Sequence, residues 1–162
     1  MYADSFFLYV NIISLYNQSF NWGCAIHLVS QYIGRPSFMY GPSMLPTLGG
    51  EGEIVIEDRL SYWLNPQLSR GELAILQSPR APGGIICKRI IGLPGDIVCV
   101  DPTGRYAPST EHVIVPNGHV WIAGDNADNS IDSRTYGPVS MSLIQGRLRA
   151  RVSSIIANPC HH

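Results

Sequence analysis

Residues 84–96 read GIICKRIIGLPGD, an apolar run carrying two adjacent cations and closed by a Gly-Leu-Pro-Gly-Asp turn. The nine residues GIICKRIIG (84–92) suit a strand that is dry on at least one face, and the Pro-Gly pair stops it abruptly. Side chains alternate along a strand, so Ile86, Lys88 and Ile90 share one face while Cys87 and Arg89 share the other. If the isoleucine face points inward, Lys88 is desolvated and its pKa falls. If the register slips by one residue, Arg89 is inward and Lys88 is wet. The pattern alone does not choose.

Similar short apolar runs flank this stretch on both sides. SFMY (37–40), EIVIE (53–57), ELAIL (72–76), DIVCV (96–100), HVIV (112–115) and HVWIAG (119–124) read as strands, and QGRLRARVSSII (145–156) as a longer final one. Between them LGGEG, LNPQLSRG, SPRAPGG, DPTGR and VPNG supply turn chemistry, and MSLI (141–144) suits one helical turn. The expected fold is mainly β: an antiparallel sheet or partly open barrel over residues 36–157, with an N-terminal helix in 1–35 and a short tail, 158–162. A length of 162 residues accommodates one such domain, and 16 Gly with 12 Pro fit its many turns.

Residues 5–34 contain no Asp, Glu, Lys or Arg. A membrane-crossing helix needs about 20 mostly apolar residues, so this length is sufficient, although Asn11, Asn17, Gln18, Asn21, His27 and Gln31 dilute it. A single span that anchors the chain is the expectation, and an amphipathic helix lying on a surface is the rival reading. No basic region precedes the stretch, so it is a poor cleavable signal. The net charge is −1, which removes the electrostatic case for nucleic acid. Cys24, Cys87, Cys99 and Cys160 form no CxxC pair and no zinc spacing, and the terminal Cys160-His161-His162 reads as an exposed end.

Two further segments can carry chemistry. In GPSMLPTL (41–48), Gly41 opens unusual backbone angles, Pro42 and Pro46 fix their own φ, and Ser43 is held between them. A nucleophile beside free N–H groups needs such a stiff turn, and a plain loop serine fits it equally well. GDNADNSIDSRTYGP (124–138) is dense in groups that hydrogen-bond their own loop, with Ser130, Asp132 and Arg134 placed to interact. It lacks the Gly and closing Glu of a calcium loop, and nothing marks Asp125 and Asp132 as an acid pair. His112 and His119 are the alternative bases for Ser43.

The three segments, in this order, resemble the type I signal peptidase family of serine–lysine proteases. That family carries a GPSM-P-T box, a KR-x-x-G-x-PGD box and a GDN-x-x-x-S-x-DSR box. Here they run Gly41 to Thr47, Lys88 to Asp96, and Gly124 to Arg134, with GELAIL (71–76) as the family's intervening strand. The resemblance implies Ser43 as nucleophile, Lys88 as general base and Ser130 as the group orienting Lys88. Asp132 and Arg134 become a supporting ion pair, and the Ser43 N–H an oxyanion donor. Where many bacterial members have a serine two positions before the nucleophile, this chain has Gly41. Where an arginine commonly follows GDN, it has Ala127. No cofactor or metal is implied.

Only 27 residues (97–123) separate the second and third boxes, which leaves no room for the large insertion of many bacterial members. The wording is most similar to the mitochondrial branch. That branch implies precursor polypeptides as substrates, membrane lipid and a second catalytic subunit as partners, and a catalytic domain facing the intermembrane space from the inner membrane. The positive-inside rule would instead keep Arg35 on the matrix side. One arginine against Asp4 weighs less than three motifs. A bacterial-type signal peptidase and an inactive membrane-tethered binding subunit are the rival readings.

Overall fold

The computed structural model describes residues 2–105 and 107–152. Helix α1 (Tyr2–Leu28) passes through a π-helical turn at Val29–Ile33 directly into strand β1 (Gly34–Met39). The remaining elements are β2 (Glu53–Asp58), α2 (Leu60–Leu64), β3 (Leu73–Gln77), β4 (Ile85–Gly92), β5 (Ile97–Cys99), β6 (His112–Ile114), β7 (His119–Ala123), α3 (Ser133–Tyr136), β8 (Val139–Ser140) and β9 (Ile144–Val152). Seven strands form one antiparallel sheet in the order β1-β2-β9-β3-β4-β7-β8, and β5 pairs with β6 in a two-stranded annex. Strands β1 and β8 keep a free edge, so the barrel is partly open, as expected.

Each expected strand is present. The sequence reading did not anticipate α2 or the two-residue β8. The end of the expected last strand (153–156) and the tail with Cys160, His161 and His162 lie outside the described residues.

The sheet is dry on both faces. Ala74, Leu76, Ile90, Val120, Ile122 and Ile144 pack together in one cluster. Met44, Leu48, Val55, Ile75 and Cys87 pack in another. Neighbours in sequence thus fall into different cores, which is why β3 and β4 read as unbroken apolar runs rather than as an alternation. Cys87, on the face opposite Lys88, is buried as well. Burial pushes its thiol up to about 12, which leaves it an inert packing residue.

Helix α1 forms where expected, and 27 residues give it a length of about 40 Å. The expectation of a membrane span is not met: among the described residues no helix is long and apolar enough to cross a membrane. The polar side chains at 17, 18, 21 and 27 lower its apolarity below that of a span, although Leu15, Tyr16, Phe20, Trp22 and Ile26 are all exposed.

The junction between α1 and the sheet is fixed by a buried charge. Glu57 of β2 is fully buried. Its Oε2 accepts hydrogen bonds from Arg35 Nε (3.0 Å) and Ser37 Oγ (3.1 Å), both on β1. Arg59 Nε faces Oε1 at 3.3 Å without an aligned hydrogen bond. Both arginines are partly solvated, so a value at the low end of the range for broken buried pairs applies. Glu57→Ala is expected to cost about 3 kcal/mol, read as a lower urea midpoint at unchanged slope.

Candidate active site

The Ser43 loop is a single 3-10 turn, Pro42–Met44. Gly41 enters it at φ 107°, a backbone state that L side chains rarely adopt. Gly41 N donates to Gly50 O (3.1 Å) and closes the loop, while Met44 and Leu48 are buried pegs that hold it on the sheet.

Lys88 takes the inward option. It sits on β4 opposite Ala74, on the same face as Ile90, and is 4% exposed. Its Nζ donates to Ser130 Oγ at 3.0 Å, and Ser130 Oγ donates to Asp132 Oδ2 at 2.5 Å. Asp132, fully buried, accepts from Arg134 Nε (2.9 Å) and Nη2 (2.5 Å) and from Gly124 N (2.8 Å). Four predicted residues therefore form one line from Lys88 through Ser130 and Asp132 to Arg134.

The electrostatics follow from burial. Desolvation lowers the Lys88 pKa from 10.5, and the charge of Asp132 opposes that shift without cancelling it. Burial by itself would raise the Asp132 pKa. The Arg134 pair, the Gly124 N–H and Ser130 outweigh it, and the carboxyl stays below its ordinary value.

Gly124 is where Ser43 meets this line. A Cβ built on Gly124 would lie 2.2 Å from Ser130 Oγ and 2.5 Å from Ser43 O. The Ser43 loop and the lysine's partner thus pack against the same hydrogen-sized gap. The Ser43 hydroxyl makes no hydrogen bond to any described residue, and Lys88 Nζ is directed at Ser130. Ser43 is among the residues lining a cleft of about 210 Å³, together with Phe38, Met39, Tyr40, Ile85, Ile86 and Cys87.

Sequence reasoning missed the clamp that assembles these parts. Arg89 grips Asp125 with two hydrogen bonds, Nε to Oδ1 (2.8 Å) and Nη2 to Oδ2 (2.6 Å). Thr47 Oγ1 donates to Asp125 Oδ2 at 2.5 Å. Asn126 donates from Nδ2 to Pro42 O and from its backbone N to Ser43 O, both at 3.0 Å. The three boxes are thereby tied together. The available signal was that Arg89, Asp125, Asn126 and Thr47 sit inside those boxes. His112 and His119 lie elsewhere: each ring Nδ1 is within reach of the carbonyl two residues before it, Thr110 O (2.8 Å) and Asn117 O (3.1 Å).

The sequence profile described as signal peptidase, peptidase S26, matches residues 12–106 and 100–153. The chain belongs to the peptidase S26 family of signal peptidases. Its relatives in that family include a Schizosaccharomyces pombe protein named mitochondrial inner membrane protease subunit 1, 42% identical over 127 residues, or 78% of each chain. A Xenopus tropicalis protein of the same name is 39% identical over 140 residues, 86% of this chain and 81% of that one. The S. pombe protein named mitochondrial inner membrane protease subunit 2 is 35% identical over 130 residues, 80% of this chain and 70% of that one.

Two outcomes test this geometry. Gly124→Ala places a methyl inside two contacts and is expected to lower stability by about 1–3 kcal/mol, measured by chemical denaturation. The second concerns pH. Because folding lowers the Lys88 pKa, the unfolded chain holds this proton to higher pH than the folded one. The penalty is complete below the lowered pKa and is relieved as pH climbs from there to about 10.5. Wild-type stability is expected to gain this increment across that window, and Lys88→Met is expected to lack it.

Proposed function

We propose that this chain is a catalytic subunit of a mitochondrial inner membrane protease that removes leader peptides from precursor proteins with a Ser43–Lys88 dyad. The observation that carries this reading is the desolvated amine of Lys88. It is held on Ser130 at the point where the Ser43 loop packs, and Ser43 lines a mostly apolar cleft. A free lysine is almost wholly charged at neutral pH, and burial is what makes this one available as a base. The Ser43 hydroxyl is left without a partner among the described residues, and its proposed contact with Nζ is of the kind that tightens when substrate fills the site.

In the proposed reaction the neutral amine takes the Ser43 proton as Oγ attacks the scissile carbonyl. The resulting ammonium protonates the leaving amine, and the amine then activates water to hydrolyse the acyl-enzyme. The Ser43 N–H is the oxyanion donor, and Gly41 offers no side chain to help it. Ser130, Asp132 and Arg134 hold Lys88 in place. The substrate enters as an extended strand beside the free edge of β1, whose Phe38 and Met39 wall the cleft.

Location and partners are read from relatives. Of the two Schizosaccharomyces pombe relatives, the one named subunit 1 is 42% identical and the one named subunit 2 is 35% identical, and Arg134 completes the DSR wording that favours the former. On that reading the catalytic domain faces the intermembrane space and works with a second catalytic subunit. Helix α1 is the contact with lipid, which would cover the exposed Tyr16, Phe20, Trp22 and Ile26.

Ser43→Ala and Lys88→Ala are each expected to abolish precursor cleavage while the chain still folds, scored by precursor and product bands. Retained processing in either variant rejects the dyad. For wild type, kcat/KM is expected to rise with pH and level off above the Lys88 pKa, below 10.5. A midpoint near about 6.5, lost on replacing His112 or His119, would assign the base to histidine instead.

A further inference from the structure

We infer that Asn126 is a positioning residue that aims the oxyanion donor, an assignment that rests on Ser43 being the nucleophile. Its side chain donates from Nδ2 to Pro42 O at 3.0 Å, and its backbone N donates to Ser43 O at 3.0 Å. Asn126 therefore holds both carbonyls that flank the nucleophile. A carbonyl acceptor requires the amide nitrogen at that position, so the orientation of the Asn126 side chain follows from its partner.

The Pro42 carbonyl and the Ser43 N–H belong to one peptide group. That group is planar and trans, so its C=O and N–H point in opposite directions. Fixing the oxygen fixes the N–H. The Pro42 ring holds only its own φ, and the peptide that follows can swivel through the next two torsions. Two donors stop that swivel: Asn126 Nδ2, and Leu45 N at 3.2 Å. The Ser43 N–H itself has no hydrogen-bond partner among the described residues and is left free for a ligand. Donation to the carbonyl also polarises the peptide and strengthens its N–H as a donor.

This chain depends on that single N–H more than a site with a second donor would. Gly41 has no side chain and Pro42 has no N–H, so neither residue preceding Ser43 can supply a side-chain or prolyl donor at this turn. Asn126 is itself held in place. Asp125, next to it, is locked by Arg89 and Thr47, and Asn126 O accepts from Asn129 N at 3.2 Å. The amide is thus presented by a rigid loop rather than by a mobile side chain.

The test uses the full chain with Asn126→Ala and Asn126→Asp. The second has the same shape but no donor, and it keeps the backbone bond to Ser43 O. Substrate is the precursor whose cleavage Ser43→Ala abolishes, and a peptide boronic acid serves as the tetrahedral mimic. Removing an oxyanion donor outright costs about 10²–10³ in kcat, and misaiming it is expected to cost about tenfold or more. KM should stay within about twofold, and boronate affinity should fall in proportion to kcat. In Asn126→Ala the pH midpoint of kcat/KM should not move, because Lys88 is untouched and no charge is added near it. Wild-type kcat in both variants would overturn the assignment. So would a raised KM with boronate affinity unchanged, or loss of folding in both variants by thermal melt, which would make Asn126 an architectural residue. Cleavage by Ser43→Ala would instead remove the protease reading itself, so the two failures are distinguishable.

Discussion

An amine kept out of water on the face of a β-strand is the constraint around which this domain is arranged. Lys88 cannot be both buried and fully charged without cost, and its environment shows how the cost is limited. Nζ keeps a neutral hydroxyl, Ser130, as its direct partner, and the carboxylate of Asp132 stands one residue further away. A carboxylate in direct contact would have stabilised the ammonium and raised the pKa. Arg134 holds Asp132 from the other side, so most of that negative charge is already matched. The lysine thus receives orientation from the chain of bonds, and the support that Asp132 gives its proton is outweighed by burial.

The rest of the sheet keeps that arrangement dry and rigid. β4 lies between two apolar clusters, one holding Ala74, Ile90 and Ile122 and the other Met44, Val55 and Ile75. Stiffness also travels along β1. Glu57 pins Arg35 and Ser37 near its start, and its far end delivers Phe38, Met39 and Tyr40 to the cleft and leads into Gly41. The same strand therefore links the N-terminal helix, a buried carboxylate, the wall of the cleft and the Ser43 turn.

Much of this was legible in the residues. The strands were visible because short apolar runs were separated by Gly, Pro, Asn and Asp. The ends of β4 were marked by Gly84 and Pro94. The direction of Lys88 was not legible, since a slip of one residue exchanges it with Arg89; the pairing of Lys88 with Ala74 settles it. That Cys87 would also be buried depended on the Ser43 loop folding over it, a tertiary event with no local signature. Helix α2 lies in RLSYWL, too short for a helical period to show. The length of α1 was read correctly and its apolarity overestimated, because polar side chains at four positions weigh more than the absence of charge suggests. The clamp was hidden for a different reason. Arg89 and Asp125 are 36 residues apart, and Asn126 and Pro42 are 84 apart, so only the closed sheet brings them together.

The adjacency of Lys88 and Arg89 shows why two cations stand side by side with different chemistry. They leave opposite faces of one strand and meet opposite fates. Burial lowers the pKa of Lys88, whereas the hydrogen bonds of Asp125 raise that of Arg89. The proposed reaction asks of position 88 a cation that can release its proton, which a guanidinium does not do in proteins. Position 89 needs a planar fork able to grip both oxygens of Asp125 and still reach Gly71 O (2.7 Å), which a single ammonium cannot match. Exchanging the two residues would keep the charge and the composition unchanged. It would place a permanent cation at the dry position and a point charge at the clamp. The order of the pair, rather than its basicity, is what the site requires.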